Sequence, residues 1–363
     1  MSSFGYLLLT TTLLAADPRV IEEKYSDGSV KSRQEMAVGT DGVAVQHGSS
    51  KRFFRDGTVQ LETQFANGKR HGPWRENYEG GKVKAEGSYR NGFRDGVEKR
   101  YQRDGRLTME THFKDGKKHG KVIEWTASGQ KVKEANFWQN LPHGQVQLWN
   151  PNGKLLSDIM YDRGMKHGKE KRFFENGARF LERDYAQGIK NGVALEWFTD
   201  GKPKMEANFK QGELDGHAIQ YYPSGQKQSE GTYLDGRQQG LFREWHDGPE
   251  HHLAVERNYS DGKPDGVQTI YYPNGNKHLE LRSKEGLREG PWTEWYEDGQ
   301  VRSQGTYHNN REDGEQTFYH PNGAKWSARK FENGTPRGTW ITWDSKGKVI
   351  EQTDYDASTP TKR

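Results

Sequence analysis

The stretch FKDGKKHGKVIEWTASGQKVKEANF, residues 113–137, contains one complete unit of a repeat that fills most of the chain. Two glycines, Gly116 and Gly120, precede a short run that ends at Trp125, and a further glycine separates it from a second run that ends at Phe137. Runs of about six to eight residues are too short for helices and are typical of strands. Each unit is therefore predicted to be a β-hairpin.

The unit recurs every 24 residues, which is best seen from its second glycine. That glycine stands at Gly48, Gly72, Gly96, Gly120, Gly144, Gly168, Gly192, Gly216 and Gly240 and, after a two-residue insertion between Asp247 and His252, at Gly266, Gly290, Gly314 and Gly338. The spacing gives about 13 units, and a fixed period of this length indicates a repeat architecture.

Two aromatic positions and a glutamate recur in the same register. The first aromatic follows the second glycine by five residues in most units, at Phe53, Tyr101, Trp125, Trp149, Phe173, Trp197, Tyr221, Trp245, Tyr271, Trp295, Tyr319 and Trp343. A glutamate follows in most units, and three residues after it stands a second aromatic, at Phe65, Tyr89, Phe113, Phe137, Tyr161, Tyr185, Phe209, Tyr233, Tyr259, Tyr307, Phe331 and Tyr355.

The pattern predicts an all-β fold, an elongated meander of about 13 antiparallel hairpins in a single-layer sheet that twists or curls. Pro223-Ser224-Gly225 fits a three-residue hairpin loop, which would pair Tyr222 with Gln226. Counted from this turn, strict alternation places both aromatics of a unit on one face and the glutamate on the other. Lysines interrupt the apolar pattern after Gly129, where we expect a β-bulge or a local slip.

Composition restricts the kind of fold. Only 30% of the residues are hydrophobic and 44 are glycine, so a thick globular core is not expected. The 11 Trp, 17 Tyr and 15 Phe residues nevertheless argue against disorder, because disordered chains are poor in aromatic residues. Stacking between neighbouring units must replace a central core.

Charge and cysteine content exclude several functions. The 55 basic and 51 acidic residues are mixed along the chain, and a net charge of +4 predicts no affinity for nucleic acid. The absence of cysteine excludes disulfides, thiolate metal ligands and cysteine nucleophiles.

Residues 4–16, FGYLLLTTTLLAA, form the one strongly apolar segment. It is too short to span a bilayer as a helix and has the length of a signal-peptide core. We therefore predict a signal peptide at 1–16, the repeat array at 17–356 and a disordered tail at 357–363. Export to the periplasm or the cell exterior follows from this prediction, with a cytoplasmic location as the alternative if the segment is not a signal peptide. No integral membrane segment is expected.

Three features could suggest a chemical site, and in each the repeat offers a simpler explanation. The loop from Gly116 to Gly120 is rich in lysine, but a phosphate loop opens a helix and no helical pattern follows. The repeated glutamates could form a hydrolase pair, but a catalytic pair should be singular, whereas here cross-strand charge pairing explains a residue found in most units. We predict no catalytic residue and no enzymatic activity.

A row of histidines could suggest a metal site. Its copies would lie about 10 Å apart in the array, too far for one zinc ion. Later units carry other polar residues there, which favours a hydrogen bond that caps the loop. The position is occupied by His47, His71, His119, His143, His167, Asn191, Asp215, Gln239, Asp265, Glu289 and Asp313. We therefore predict neither a metal nor a cofactor.

The aromatic face has the clearest binding potential. Its rings are needed for stacking between units, but an open face could also hold a protein segment or an extended glycan. The candidate partner-binding aromatics are Trp125, Trp149, Trp197, Tyr221, Trp245, Tyr271 and Trp295. Trp74, Trp292 and Trp340 lie outside the repeated aromatic positions and are additional candidates.

The repeated pattern Tyr/Phe-x-x-Gly-Lys-x-x-Gly-x-x-x-x-Trp/Tyr-Tyr-x-x-Gly-x-x-x-x-Glu-x-x-Tyr/Phe resembles the MORN repeat (membrane occupation and recognition nexus), in the variant form found in bacterial YwqK-type antitoxin proteins. The resemblance extends over nearly all of Glu22 to Asp356. It implies a β-meander that binds phospholipids or partner proteins, with an antitoxin-like role by analogy and no catalytic residues to transfer.

The expected function is therefore a non-enzymatic scaffold that binds a partner protein. Attachment to a membrane phospholipid or to a cell-wall glycan is the alternative.

Overall fold

The computed structural model describes residues 19–38, 42–357 and 361–362. The predicted signal peptide at 1–16 lies outside this part of the chain. The described residues divide into two compact units, the first ending at Met165 and the second beginning at Lys166. They form strands and turns and no helix, so the all-β prediction is confirmed for them.

In the first unit each strand pairs antiparallel with the strands that precede and follow it. The short strand β7 precedes β8, and both pair with β6. The strands are β1 (Arg19–Lys24), β2 (Val30–Val38), β3 (Ala44–Phe53), β4 (Val59–Ala66), β5 (Lys69–Asn77), β6 (Val83–Arg90), β7 (Phe93–Arg94), β8 (Gly96–Tyr101), β9 (Leu107–Lys114), β10 (Lys117–Trp125), β11 (Lys131–Trp138), β12 (Leu141–Trp149) and β13 (Leu155–Asp162).

The second unit repeats this meander. Its strands are β14 (Met165–Phe173), β15 (Arg179–Ala186), β16 (Ile189–Trp197), β17 (Pro203–Lys210), β18 (Glu213–Tyr221), β19 (Lys227–Leu234), β20 (Arg237–Trp245), β21 (Leu253–Ser260), β22 (Lys263–Tyr271), β23 (Lys277–Lys284), β24 (Leu287–Arg288), β25 (Gly290–Trp295), β26 (Val301–His308), β27 (Arg311–Glu312), β28 (Gly314–Tyr319), β29 (Lys325–Glu332), β30 (Thr335–Trp343), β31 (Val349–Asp354) and β32 (Thr361–Lys362).

Strand β32 lies in the segment that was predicted to be a disordered tail. It pairs with Thr353 and Asp354 of β31. The free edge of β31 thus accepts Thr361 and Lys362, and the assignment of 357–363 as a tail stays a prediction.

The turn between the two strands of one hairpin, called the wide turn below, has the predicted form. Tyr222 pairs with Gln226 through its N–H (2.9 Å to the Gln226 carbonyl), and Gly225 has a positive φ of 96°. The predicted insertion enlarges the equivalent turn between β20 and β21, where the ring of His251 stacks on Trp245 at 5.9 Å.

The turn that joins successive hairpins differs from the prediction. A loop from Gly116 to Gly120 was expected, but only Asp115 and Gly116, with φ of 49° and 80°, form the turn, and β10 begins at Lys117. Two positive φ values in a two-residue hairpin loop are the signature of a type I′ turn, whose twist matches that of the strands. Gly120, with φ of 100°, lies within β10 at a bulge.

A second bulge shifts the register of each hairpin by one residue near its wide turn. In β18 and β19, Tyr221 pairs with Lys227 as predicted, but Gln220 pairs with Ser229 and Ile219 with Glu230. The bulge expected after Gly129 is thus confirmed, and it recurs in other hairpins.

The bulge corrects the predicted arrangement of the two faces. Residues that pair directly share a face, so Ile219 lies with Glu230, whereas Tyr233 lies opposite Gly216 on the other face. Tyr221 also lies on the face of the glutamates, because its hydroxyl donates to Glu206 at 3.0 Å. The two aromatics of a unit therefore lie on opposite faces, against the prediction. We call the side with the repeated glutamates the glutamate face and the other side the small-residue face.

The small-residue face is the better buried of the two. Its central positions are held mainly by small side chains, and Ala135 and Ala194 are each only 1% exposed. Two carboxylates, Glu98 in the first unit and Glu170 in the second, are buried at equivalent positions of this face. The core is therefore a row of side chains one layer thick, covered by longer neighbours from adjacent strands.

Hydrogen bonds between successive repeats add to the strand ladder. The turn N–H of Gly92 donates to the carbonyl of Arg70 at 2.8 Å, and this bond recurs at most of the joining turns. The hydroxyl of Tyr272 donates to the carbonyl of Trp295 at 2.8 Å, one repeat further on. The stability of the fold is thus distributed over contacts between neighbouring repeats, as in other repeat arrays.

Candidate interaction surfaces

The seven candidate aromatics lie on the glutamate face, in a row within each unit. Each is the last residue of its strand, at the same repeat position, and each is half-buried. Copies in successive hairpins lie two strands apart, which is about 10 Å. Trp125 and Trp149 belong to the first unit, and the other five aromatics belong to the second.

Cations cover several of these rings. Lys131 places its ammonium 4.3 Å from the ring centre of Trp149 and also contacts Glu134 at 2.8 Å. The same arrangement holds Lys227 over Trp245. A ring that is stacked on a neighbouring cation presents less free surface to a ligand, so this row serves stacking between repeats, and its role in binding stays a prediction.

The repeated glutamates take part in cross-strand pairing, as the sequence predicts. Glu134 accepts hydrogen bonds from Lys131 and Lys121, which lower the pKa of its carboxyl group. Tyr101 donates to Glu86 at 2.8 Å. Burial and this bond raise the pKa of Tyr101 to about 12. These contacts recur from repeat to repeat and single out no carboxylate pair.

Trp74, Trp292 and Trp340 lie on the opposite, small-residue face. Trp74 packs against Tyr89 with ring centres 6.1 Å apart, and Trp292 packs against Tyr307 at 6.0 Å. Trp340 lies 4.5 Å from Tyr355. These tryptophans therefore extend the aromatic packing of the second aromatic position.

The polar position that includes the histidine row caps the joining turns, as predicted. Nδ1 of His71 accepts from the backbone N–H of Asn91 at 3.4 Å, and Asp313 accepts from the N–H of Asn333 at 3.0 Å. The same bond is made by His47, Asp95, His143, Asn191, Asp215, Gln239 and Glu289. Any short acceptor therefore serves, which explains why the residue type varies. The described residues contain no group of three or more His, Asp or Glu side chains arranged to hold a metal ion.

The lysine-rich segment after Gly116 is part of a strand and does not form a phosphate loop. Lys118 extends over the ring of Phe137 at 5.3 Å, and the ring of His119 lies 4.5 Å from that of Trp138. Within the described part of the chain, no helix is long and apolar enough to cross a membrane.

A cationic trough on the small-residue face of the first unit was not predicted from the sequence. Its floor is Thr63, Trp74 and Ala85. Arg52 and Arg100 line it at one end of the strands, and Arg70 and Arg94 line it at the other. The enclosed volume is about 620 Å³, and a smaller recess of about 230 Å³ adjoins it at Arg52 and Arg70.

The four arginines of the trough differ in the contacts that their guanidinium groups make with other side chains. Arg94 and Arg100 contact the buried Glu98 at 3.2 and 2.9 Å. Arg70 stacks on Tyr89, 5.3 Å from the ring centre, and donates a hydrogen bond to its hydroxyl at 3.2 Å, but it has no carboxylate partner among the described residues. The side chain of Arg52 makes no hydrogen bond or ion pair within the described part of the chain. The sequence signal that could have revealed the trough is a local excess of basic residues. The net charge of the whole chain conceals this excess.

Comparison with known proteins identifies the repeat. A family model described as the MORN repeat variant matches residues 70–91, 142–163, 190–211, 214–235, 264–284, 288–309 and 312–334. Each segment covers a bulged strand, its wide turn, the return strand and the start of the next joining turn. No curated protein matches the chain. The match is to the repeat and does not extend to the YwqK-type antitoxin family.

Several solved structures show local similarity. A crystal structure of TcdB2-TccC3-Cdc42 matches 93% of this chain at 10% identity and a TM-score of 0.17. The Photorhabdus luminescens Tc holotoxin pore matches 94% at 9% identity, also with a TM-score of 0.17. This chain spans 23% of each of those chains. Scores this low do not establish a common fold.

The hairpin unit, its turns and its bulges are thus seen in the structure and matched by the family model at seven positions. The chain therefore contains the MORN repeat, in its variant form, at these seven positions.

Proposed function

We propose that the protein is a non-enzymatic scaffold that binds a partner protein. The observation that carries this proposal is the exposure of large apolar side chains at the joining turns of a chain that is otherwise hydrophilic. Phe93 is 60% exposed, and Trp138 and Leu141, which pair across one turn, are 46% and 48% exposed. Exposed apolar clusters with polar surroundings are characteristic of protein contact surfaces.

The regular structure supports a binding role over an enzymatic one. The glutamates, lysines and aromatics of the glutamate face are engaged in similar contacts in several repeats, and no pair of carboxylates has an environment of its own. Binding across several units suits such a surface. An antitoxin-like role and export from the cytoplasm are further parts of this proposal, motivated by the resemblance to YwqK-type proteins and by the apolar segment at residues 4–16.

The test is to isolate the protein from its native source under mild cross-linking and to determine the mass of any complex. We expect one specific polypeptide in stoichiometric amount, whose contacts map to the joining turns. The matched variants Trp138→Ser and Trp149→Ser separate two surfaces, because Trp138 is exposed at a turn and Trp149 is covered by Lys131. Loss of the complex with Trp138→Ser alone would support binding through the turns.

Attachment to a membrane or a cell-wall glycan is the competing outcome. Sedimentation with phospholipid vesicles or with insoluble glycan, in the absence of any specific protein partner, would overturn the proposal.

A further inference from the structure

We infer that the cationic trough of the first unit, lined by Arg52, Arg70, Arg94 and Arg100, binds an extended acidic segment of a polypeptide. The inference rests on the proposed function, to which it adds the location of one contact and the chemistry of the partner. Its basis is the local charge, two arginines without a carboxylate partner, the shape of the trough, and the replacement of two of the four cations in the second unit.

Positive charge is concentrated where the trough lies. Residues 51–106 contain 14 basic and 8 acidic residues, a net charge of +6 in a chain whose net charge is +4. The remainder of the chain is therefore slightly acidic. A local excess of this kind attracts a negatively charged partner, even though the whole chain produces little long-range field.

Two of the four guanidinium groups can bind a carboxylate without displacing one that is already there. Arg52 and Arg70 are exposed and have no carboxylate partner among the described residues. Arginine forms bidentate, charge-assisted hydrogen bonds with carboxylates, which are stronger than bonds between neutral groups. Arg94 and Arg100 are held in place by Glu98 and can contribute their remaining N–H groups.

The geometry favours an extended polypeptide. Arg70 and Arg94 occupy the same position in successive repeats and lie two strands apart, about 10 Å. An extended chain covers this distance in about three residues. Between the arginines the lining consists of small side chains, the aromatic rings of Trp74 and Tyr89, and Glu76, whose carboxylate is paired with Lys84 at 2.7 Å. A segment with acidic residues about three positions apart and an apolar residue between them would match both features.

A bilayer and a nucleic-acid duplex fit this recess less well. The trough encloses about 620 Å³, which admits a few residues of a chain. The surface of a vesicle cannot reach a recessed floor, and a duplex presents closely spaced phosphates without an apolar group for Trp74 to contact.

The four arginines of the trough do not recur together in the second unit. At the equivalent positions 120 residues later, Arg172 and Lys190 keep a cation, whereas Leu214 and Gln220 replace Arg94 and Arg100. The arginines are therefore not required by the repeat itself.

The test uses the full chain and a labelled peptide of about ten residues with glutamate at every third position and leucine beside it. Binding is measured by fluorescence anisotropy at low and at raised salt, with the lysine-for-glutamate peptide as a negative control. The trough variant is Arg52→Gln/Arg70→Gln. The charge-matched control is Lys171→Gln/Lys190→Gln, in which Lys190 has the repeat position of Arg70 in the second unit.

We expect the trough variant to lose about tenfold or more in affinity, since a charge-assisted bond is involved, and the control to change less than about twofold. Equal losses in both variants, or no binding by the native chain, would overturn the inference. So would tighter binding of a short DNA duplex or of anionic phosphatidylglycerol vesicles than of the peptide.

The two proposals can fail separately. If a native protein complex forms and is unaffected by Arg52→Gln/Arg70→Gln, the trough is not its contact and the scaffold function stands. If no protein partner exists, the scaffold function fails whatever the peptide does.

Discussion

The indole ring of Trp74 in β5 lies over the α-carbon of Gly87, its direct partner on the adjacent strand β6. A methyl group at Gly87 would come within 2.9 Å of the indole Nε1. The same relationship joins Trp292 to Gly305, where a methyl group would lie 3.0 Å from Nε1. A large ring on one strand thus fills the space that a missing side chain leaves on the next.

The tightest example of this packing predicts a strong effect of Gly231→Ala. Its methyl group would lie 2.4 Å from carbons of the Phe242 ring. That ring cannot move aside freely, because Tyr233 and Tyr259 flank it with centres 5.3 and 5.2 Å away. We expect the variant to lower the local free energy of unfolding by about 1–3 kcal/mol, measured by amide hydrogen exchange in β19 and β20.

A second substitution serves as the control for this prediction. Phe242→Val removes the clash, so the double variant should be more stable than the sum of the two single variants implies. Strictly additive effects would show that the ring and the glycine are not coupled.

Adjacent tyrosines allow a matched test of the hydrogen bonds between repeats. The hydroxyl of Tyr272 donates to the carbonyl of Trp295, whereas the hydroxyl of Tyr271 has no hydrogen bond within the described part of the chain. We expect Tyr272→Phe to cost about 0.5–1.5 kcal/mol of unfolding free energy and Tyr271→Phe much less. Urea unfolding monitored by tryptophan fluorescence measures both, and equal costs would contradict the role of the hydroxyl.

Much of the fold could be predicted from the sequence because the residues that determine its turns act locally. A glycine with positive φ at each wide turn fixes where a hairpin bends, and the pairing of Tyr222 with Gln226 follows from that turn alone. The capping role of the polar position was also predictable, because residues as different as His71 and Asp313 share it.

The assignment of faces could not be predicted by counting from the turn. One bulge between Gln220 and Tyr221 moves every later pair by one residue, which changes the face on which each side chain is placed. The tight joining turn was missed for a related reason, since Gly120 marks a bulge within a strand and not the end of a loop. The trough was missed because its arginines meet only when three hairpins lie side by side.

The raised pKa of Tyr101 predicts a loss of stability in alkaline solution. Burial is the main cause that raises its pKa to about 12 from the ordinary 10.0, and the bond to Glu86 adds to it. Because the pKa is higher in the folded state, the contribution of Tyr101 is complete below pH 10 and is lost as the pH rises from about 10 through 12.

The measurement is the ultraviolet absorbance of tyrosinate during alkaline titration of the native chain and of Tyr101→Phe. The difference between the two curves should titrate near pH 12. A difference that titrates at the ordinary pKa of a tyrosine would show that the phenol is not buried against Glu86.

Among the variants considered, the largest loss of stability is expected when the two cations that contact the buried carboxylate of Glu170 are replaced. Only 1% of Glu170 is exposed, and it contacts Lys166 at 2.9 Å and Arg172 at 2.7 Å. Burial alone would raise its pKa, but hydrogen bonds from Lys166 and Arg172 outweigh burial and hold the pKa below the ordinary 4.5. Lys166→Met/Arg172→Leu would leave the charge buried without a cation, with a hydrogen bond from Tyr185 as its remaining side-chain partner, and should cost about 3–5 kcal/mol.

The pH dependence of this loss distinguishes an unpaired charge from a simple packing defect. In the native chain the contribution of Glu170 is present above the unfolded pKa of about 4.5 and is lost as the pH falls through the lower folded value. In the double variant burial is opposed by Tyr185 and no longer by the two cations, so protonation of Glu170 relieves the defect. The deficit in unfolding free energy should therefore shrink as the pH falls. Adding Glu170→Leu should recover much of the loss at neutral pH, and Lys171→Met, at the exposed neighbouring residue, should have little effect. A deficit that is independent of pH and is not relieved by Glu170→Leu would show that the cations act through packing alone.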